Sequence, residues 1–213
     1  MDKRIYQVYE LLLAEYGHQN WWPADTPWEV CMGTVLTQNT SWTNVEKAID
    51  NFKALGAMSA EEVLQLEDQV IEEAIRPSGY YRIKKKRLRS VAHWWIDNRD
   101  KVPAGCSDEE IQHWRHSLLD VHGVGEETAD CILLYCFNLP TFVIDTYTKR
   151  MVHRHLGMKA NMKYGKLQRI FMESLPRDVA LFNDFHALIV ANSKVGCPNK
   201  KCLDNCSLRL INE

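Results

Sequence analysis

Leu118-Leu119-Asp120-Val121-His122-Gly123-Val124-Gly125-Glu126-Glu127-Thr128-Ala129-Asp130 closes one apolar helical pattern and opens another, which continues through Ile132, Leu133 and Cys136. Two glycines this close supply backbone conformations that other residues resist, and they remove side chains where a second surface must come near. The second helix starts with free N–H groups pointing outward, which suits a phosphate. A hairpin of this kind between helices can hold a nucleic-acid backbone without reading bases. A plain tight turn is the other reading of the same residues.

The next segment separates the two. Leu139-Pro140-Thr141-Phe142-Val143-Ile144-Asp145-Thr146-Tyr147-Thr148-Lys149-Arg150 sets a lone Asp after an apolar run and ahead of a basic helical pattern. Hairpin, Pro140, Asp145, Thr146 and Arg150, in that order, resemble the helix-hairpin-helix DNA glycosylase superfamily, the relatives of endonuclease III. The resemblance implies that Asp145 is catalytic. It also implies that Gly123, Gly125, Thr128 and Arg150 meet DNA, with a monovalent cation bound at the hairpin.

Composition sets limits on that reading. A net charge of −2 over 213 residues excludes a polycation, so affinity for DNA has to come from local patches. With 46% hydrophobic residues the chain can build a core for one large domain or two small ones. No apolar run is long enough to span a membrane and no signal-peptide pattern opens the chain. Three of the seven cysteines cluster near the C-terminus and four (Cys31, Cys106, Cys131, Cys136) are scattered, which is no secretory framework. An intracellular monomer, in the cytoplasm or nucleoid of a prokaryote, is the expectation.

The pattern elsewhere is helical. Ile5, Val8, Tyr9, Leu12 and Tyr16 recur at helical spacing over 4–16, and Gly17 stops the run. Thr26-Pro27-Trp28-Glu29 starts a helix with Pro in its first turn and a capping-box Glu, and the apolar stretch over 27–38 should be central and buried. Ser59-Ala60-Glu61-Glu62 heads a helix to about 74, and Ser107-Asp108-Glu109-Glu110 caps the helix that runs into the hairpin. Between them, Arg82-Ile83-Lys84-Lys85-Lys86-Arg87-Leu88-Arg89 follows the loop Arg76-Pro77-Ser78-Gly79-Tyr80-Tyr81 and opens a helix whose other face holds Val91, Trp94, Trp95 and Ile96. Such a charge run is either a solvated face or a phosphate contact. Thr141–Ile144 is too short to carry a sheet.

The resemblance implies an all-α, two-lobed fold. One lobe is a six-helix barrel over 28–138 that includes the helix-hairpin-helix. The other joins 1–27 to 139–213, and a flipped base would enter the cleft between them. Gln38 matches the residue that fills the gap in the duplex, and its amide suits an unpaired base. Tyr80 falls at the apolar wedge, with Lys84 and Lys85 placed to neutralise phosphate beside it.

Substrate is read from departures within the family. Bifunctional members carry a nucleophilic Lys where this chain has Glu127, so the enzyme is expected to be monofunctional, with water attacking the sugar. Thr34 stands where adenine-specific members carry a Glu. Without an evident general acid, an alkylated purine is favoured, because it leaves already charged and an aromatic face attracts the cation. Trp21, Trp22, Pro23, Trp42 and Glu127 are similar to the base pocket of the 3-methyladenine glycosylases of this superfamily. A uracil or thymine mismatch glycosylase, or a non-catalytic DNA-binding protein on the same fold, are the alternatives. Double-stranded DNA with a damaged base is the expected partner.

At the C-terminus Cys197, Cys202 and Cys206 are separated by four and three residues. Many relatives hold a [4Fe–4S] cluster there on four cysteines at other spacings. Three thiolates could hold a cluster with a fourth, non-Cys ligand, or zinc, or nothing. His186, inside the apolar pattern Phe185-His186-Ala187-Leu188-Ile189-Val190, reads as structural.

Overall fold

The computed structural model describes residues 2–198 and 201–212, and every regular element among them is helical. The chain divides into two compact units, one made of residues 22–139 and the other of 1–21 with 140–213. No described helix is long and apolar enough to cross a membrane.

The 22–139 unit is built round α2 (Pro27–Leu36), in which every residue from Trp28 to Leu36 is buried. Pro27 sits in the first turn and the Thr26 hydroxyl accepts from the Glu29 N–H at 3.1 Å. The reciprocal half of the box is different from the expected one. Glu29 Oε2 accepts from the Asp25 N–H and Oε1 pairs with Lys53 at 3.1 Å, which gives a buried carboxylate its partners. Helix α2 ends at Leu36 rather than at 38, so Thr37–Ser41 forms a polar turn before α3 (Trp42–Ala54).

Ser59 forms its capping box with Glu62, but the helix it starts, α4 (Ala60–Gln65), stops at Leu66. A separate helix, α5 (Asp68–Ile75), follows. A single 3-10 turn (Arg76–Ser78) leads to α6 (Tyr81–Asn98). The Ser107–Glu110 box starts α7 (Asp108–Leu119), and beyond the hairpin lies α8 (Glu126–Cys131). The expected apolar helix through Cys136 continues from α8 as a π-helical segment, Ile132–Cys136. Its five residues are all buried, and α2 packs against it as well as against α3, α6 and α8.

The second unit comprises α1 (Lys3–Tyr16), α9 (Thr146–His155), α10 (Tyr164–Ser174), α11 (Val179–Val195) and a 3-10 turn at Ser207–Asn212. Phe142, Phe171, Phe182 and Phe185 fill its core, with Phe142 stacked on Phe171 at 4.5 Å between ring centroids. Each such ring taken from water contributes about 1.5–3 kcal/mol. Residues 141–144 carry no regular structure and are buried, and the Gln168 amide of α10 donates to the Phe142 carbonyl at 2.8 Å and to Thr141 Oγ1 at 3.1 Å.

Candidate functional site

Asp145 is the N-cap of α9, and that position fixes its carboxylate. Oδ1 accepts from the Thr148 N–H at 2.6 Å and from its hydroxyl at 2.8 Å. Oδ2 faces His186 Nε2 at 3.6 Å. Upstream, the Tyr164 hydroxyl accepts from the Ile144 N–H at 3.2 Å, so the residue before the cap is anchored too. Burial pushes the Asp145 carboxyl up, but His186 and Thr148 together outweigh it and hold the group below 3.8. The result is a buried carboxylate, ionised at neutral pH and suited to stabilising a nearby cation or orienting a water. His186, read from sequence as structural, is the partner of Asp145. Its apolar neighbours in α11 gave no sign of this, because the contact crosses from one helix to another.

In the other unit the hairpin is held from beneath. Gly123 has φ +86°, and a Cβ there would run into the Arg87 side chain, so both conformation and space require glycine. Gly125 is different: φ is −102°, its backbone is extended, and a Cβ would meet nothing. The expectation that both glycines adopt special conformations holds for Gly123 alone. Gln38 Nε2 donates to the Gly123 carbonyl at 3.2 Å and to Thr128 Oγ1 at 3.1 Å, while Arg87 donates to Gln38 Oε1. Thr128 is 8% exposed and its hydroxyl is engaged by Gln38. The Arg115 guanidinium forks onto the buried Asp130 at 2.8 and 3.1 Å across α7 and α8, a part-buried pair that locks the two helices of the hairpin. Neither Arg87 nor Arg115 was singled out from sequence.

Three rings of the same unit form a group. Trp22 meets Trp42 edge-on at 5.2 Å and Tyr135 at 5.5 Å between centroids, and it lies over Gly33, where a Cβ would come within 3.1 Å. Tyr135, from the π-helical segment, joins two of the residues expected at a base pocket. Pro23 and Glu127 are exposed, and Trp21, half-buried, falls in the other unit. Tyr80 is 67% exposed and left-handed at φ 47°, directly after Gly79 at φ 72°. A non-glycine residue held there is strained, and such strain gathers at functional sites.

The family model described as "HhH-GPD superfamily base excision DNA repair protein" matches residues 32–177, a span that includes Gln38, the hairpin and Asp145. The chain belongs to the HhH-GPD superfamily. A protein of Methanocaldococcus jannaschii described as a candidate DNA repair glycosylase is 42% identical over 206 residues, covering 96% of this chain and 94% of that one. Among solved structures, the Helicobacter pylori 3-methyladenine DNA glycosylase bound to 1,N6-ethenoadenine is 27% identical with a TM-score of 0.73, covering 91% of this chain and 98% of that one. An endonuclease III trapped as a covalent intermediate with DNA has a TM-score of 0.81 at 18% identity, over 99% and 95% of the two chains, and shows the shared all-α fold.

Two cations expected to meet phosphate in this HhH-GPD protein are engaged inside it. Lys84 is 1% exposed; its ammonium donates to the carbonyls of Leu36 at 2.8 Å and Ser78 at 2.7 Å. Burial, with the charge of Arg87 adding to it, pushes Lys84 down to about 8. Lys84 therefore ties the end of α2 to the loop that carries Tyr80, and cannot reach a phosphate. Lys85 is paired with Asp68 at 2.7 Å and Glu72 at 2.6 Å, so its charge is balanced on the spot. Arg150, on α9, lies over the Tyr147 ring at 5.1 Å and donates to the Ser193 carbonyl at 3.4 Å.

The C-terminal cysteines of this HhH-GPD chain gather near one histidine. The ligand atoms of Cys197, Cys202 and His155 all lie within 4.8 Å of one another. His155 is the last residue of α9, and sequence reading passed over it because it precedes the cysteines by some forty residues.

Proposed function

We propose that this HhH-GPD protein is a monofunctional DNA glycosylase that removes an alkylated purine, such as 3-methyladenine, from double-stranded DNA. The observation that carries the reading is Asp145: a buried carboxylate kept ionised by Thr148 and His186, at the position that the resemblance marks as the catalytic Asp. As the glycosidic bond breaks, its electron pair leaves with the base and positive charge develops at the sugar C1′. A cationic alkylpurine departs as a neutral base and needs no protonation. The Asp145 carboxylate stabilises the sugar cation and takes a proton from the water that captures it. Glu127 has no amine to form a Schiff base, so strand cleavage is not part of the reaction.

Supporting the substrate class is the group of Trp22, Trp42 and Tyr135, whose ring faces attract a cation by about 0.5–2 kcal/mol per good contact. The Helicobacter pylori neighbour, a 3-methyladenine DNA glycosylase, supports the same class. In this reading Gly123, Gly125 and Arg150 hold the backbone, Tyr80 wedges the duplex, and a monovalent cation sits at the hairpin. No step of the hydrolysis runs through the C-terminal cysteines.

The test is a panel of duplexes with one modified base each, assayed for release with and without alkali and for trapping by borohydride. Release of 3-methyladenine, strands intact until alkali and no trapped adduct are expected. Preferential release of uracil or thymine from mismatches moves the enzyme to the other substrate class. Efficient trapping would point to Lys149 or another amine as nucleophile and overturn the monofunctional reading.

A further inference from the structure

We infer that His155, Cys197, Cys202 and Cys206 form a site for a single tetrahedral zinc ion that fastens the C-terminal segment to the end of α9. His155 Nε2 lies 3.5 Å from Cys197 Sγ. Two ligands of one zinc ion, at about 2.3 Å for sulfur and 2.0–2.1 Å for nitrogen in tetrahedral arrangement, stand about 3.6 Å apart. Cys202 joins these two, with all three ligand atoms within 4.8 Å of one another. The Cys206 thiol, which interacts with that of Cys202 and donates to Asn192 Oδ1 at 3.7 Å, is the neighbouring thiol that would turn from the amide to complete the set.

The surroundings are those of a ligand set. The His155 ring is also hydrogen-bonded to the Leu208 backbone, the kind of outer contact that orients a metal-bound imidazole. Arg154 donates to Cys197 Sγ at 3.0 Å and to the carbonyls of Cys197, Pro198 and Lys201, closing the loop round the thiols. His155 and Cys197 are both buried.

This donor set disagrees with the [4Fe–4S] cluster implied by the resemblance. A cubane takes four thiolates, each on its own iron at a separate corner. Here there are three thiols, and the imidazole sits against one of them at the spacing of ligands that share an ion. Two sulfurs and one nitrogen drawn round a point, with a third thiol beside them, suit zinc. The consequence for the fold is local. Helix α9 runs from Asp145 as its cap to His155 at its end, so the ion would anchor the far end of the helix that presents the catalytic carboxylate. The Ser207–Asn212 turn, which packs on α1 and α9, would be anchored with it.

The full chain, expressed in medium supplied with both iron and zinc, is analysed for metals and acid-labile sulfide, and its unfolding is followed with and without a chelator. One zinc per chain, no sulfide, and a lower unfolding temperature after chelation are expected. His155→Gln and, at the half-exposed ligand, Cys202→Ser are expected to weaken zinc retention about tenfold or more in competition with a chromogenic chelator. Cobalt substitution is expected to give a visible tetrahedral spectrum that changes in His155→Gln. Iron with sulfide and a broad visible absorbance would overturn the proposal in favour of a cluster. Absence of metal with unfolding indifferent to chelator, or undiminished zinc retention by a folded His155→Gln protein, would overturn it outright.

Discussion

Replacing Lys84 by Ala is expected to destabilise the protein while leaving its salt response on DNA unchanged. The ammonium is buried and donates to the carbonyls of Leu36 and Ser78. Truncation removes three methylenes beyond Cβ, about 2.4 kcal/mol at ~0.8 kcal/mol each. It also strips two buried carbonyls of their donor, about 1–3 kcal/mol apiece. Relief of the buried charge opposes this. Burial, reinforced by Arg87, lowers Lys84 from 10.5 to about 8, which at ~1.36 kcal/mol per pH unit is roughly 3 kcal/mol. The net is a loss of about 3 kcal/mol, or a fall of roughly 6–12 °C in unfolding temperature for a chain of this size. The sign with pH follows from the direction of the shift. The folded value lies below the unfolded one, so the unfolded chain binds the extra proton between them. The wild-type contribution therefore rises as pH climbs from about 8 towards 10.5, and this rise is absent from the variant. Thermal unfolding across that range, for wild type, Lys84→Ala and the stem-preserving Lys84→Met, separates the polar effects from packing. Duplex binding against salt is measured alongside. A slope shallower by about one unit in Lys84→Ala, with unfolding unchanged, would place the ammonium on a phosphate and refute the reasoning.

Asp145→Asn is expected to abolish base release while damaged duplex stays bound at least as tightly; full activity would remove the glycosylase mechanism. Because Asp145 is held below 3.8, its charge, and the stability it draws from Thr148 and His186, persist above that value and fade only as pH falls through the lowered one, so an acid limb in single-turnover release above about pH 5 would belong to another group. Gly125→Ala, whose Cβ meets nothing within the protein, is expected to change stability by no more than about 0.5 kcal/mol yet weaken binding to all duplexes alike; unchanged binding would remove this residue from the interface. Trp42→Ala is expected to cost roughly 1–3 kcal/mol in affinity for a damaged base with little effect on intact duplex, and more for a cationic alkylpurine than for a neutral base; equal losses on both would remove the cation argument.

Much of the fold was legible because its signals are local. A Ser or Thr three residues before a Glu satisfies helix N–H groups within one turn, so the starts at Ser59 and Ser107 could be read directly, as could Pro27 in the first turn of α2. The break between α4 and α5 was not legible, since Leu64, Leu66, Val70 and Ile71 continue an apolar pattern through Leu66 and Glu67, where the chain leaves the helix. The π-helical segment hid for a similar reason: a run of apolar residues after Ala129 fits either helix. Lys84 was misread although the signal was present. Lys84, Leu88, Val91 and Trp95 recur at helical spacing, which puts the lysine on the apolar face of α6 and not on the charged one.

The site divides along the same line. Asp145 meets its first partner three residues on, at Thr148, so motif and geometry coincide and the residue stands out in the sequence. Gln38 takes its meaning from three other places in the chain: the Gly123 carbonyl, the Thr128 hydroxyl and Arg87. Its side chain is expected to fill a gap in the duplex, yet in the protein alone its amide is spent on holding the hairpin. Entry into DNA means exchanging those bonds for bonds to a base, and each net exchange is worth only about 0.5–1.5 kcal/mol when both sides are satisfied. The cost is larger if the Gly123 carbonyl and the Arg87 guanidinium are left without replacements. Phosphate is a suitable replacement for Gln38 on Arg87, because a guanidinium binds it through paired N–H donors. Release of Gln38 and capture of the backbone would then be two halves of one rearrangement, with Arg87 passing from an amide oxygen to a phosphate as the glutamine turns towards the unpaired base.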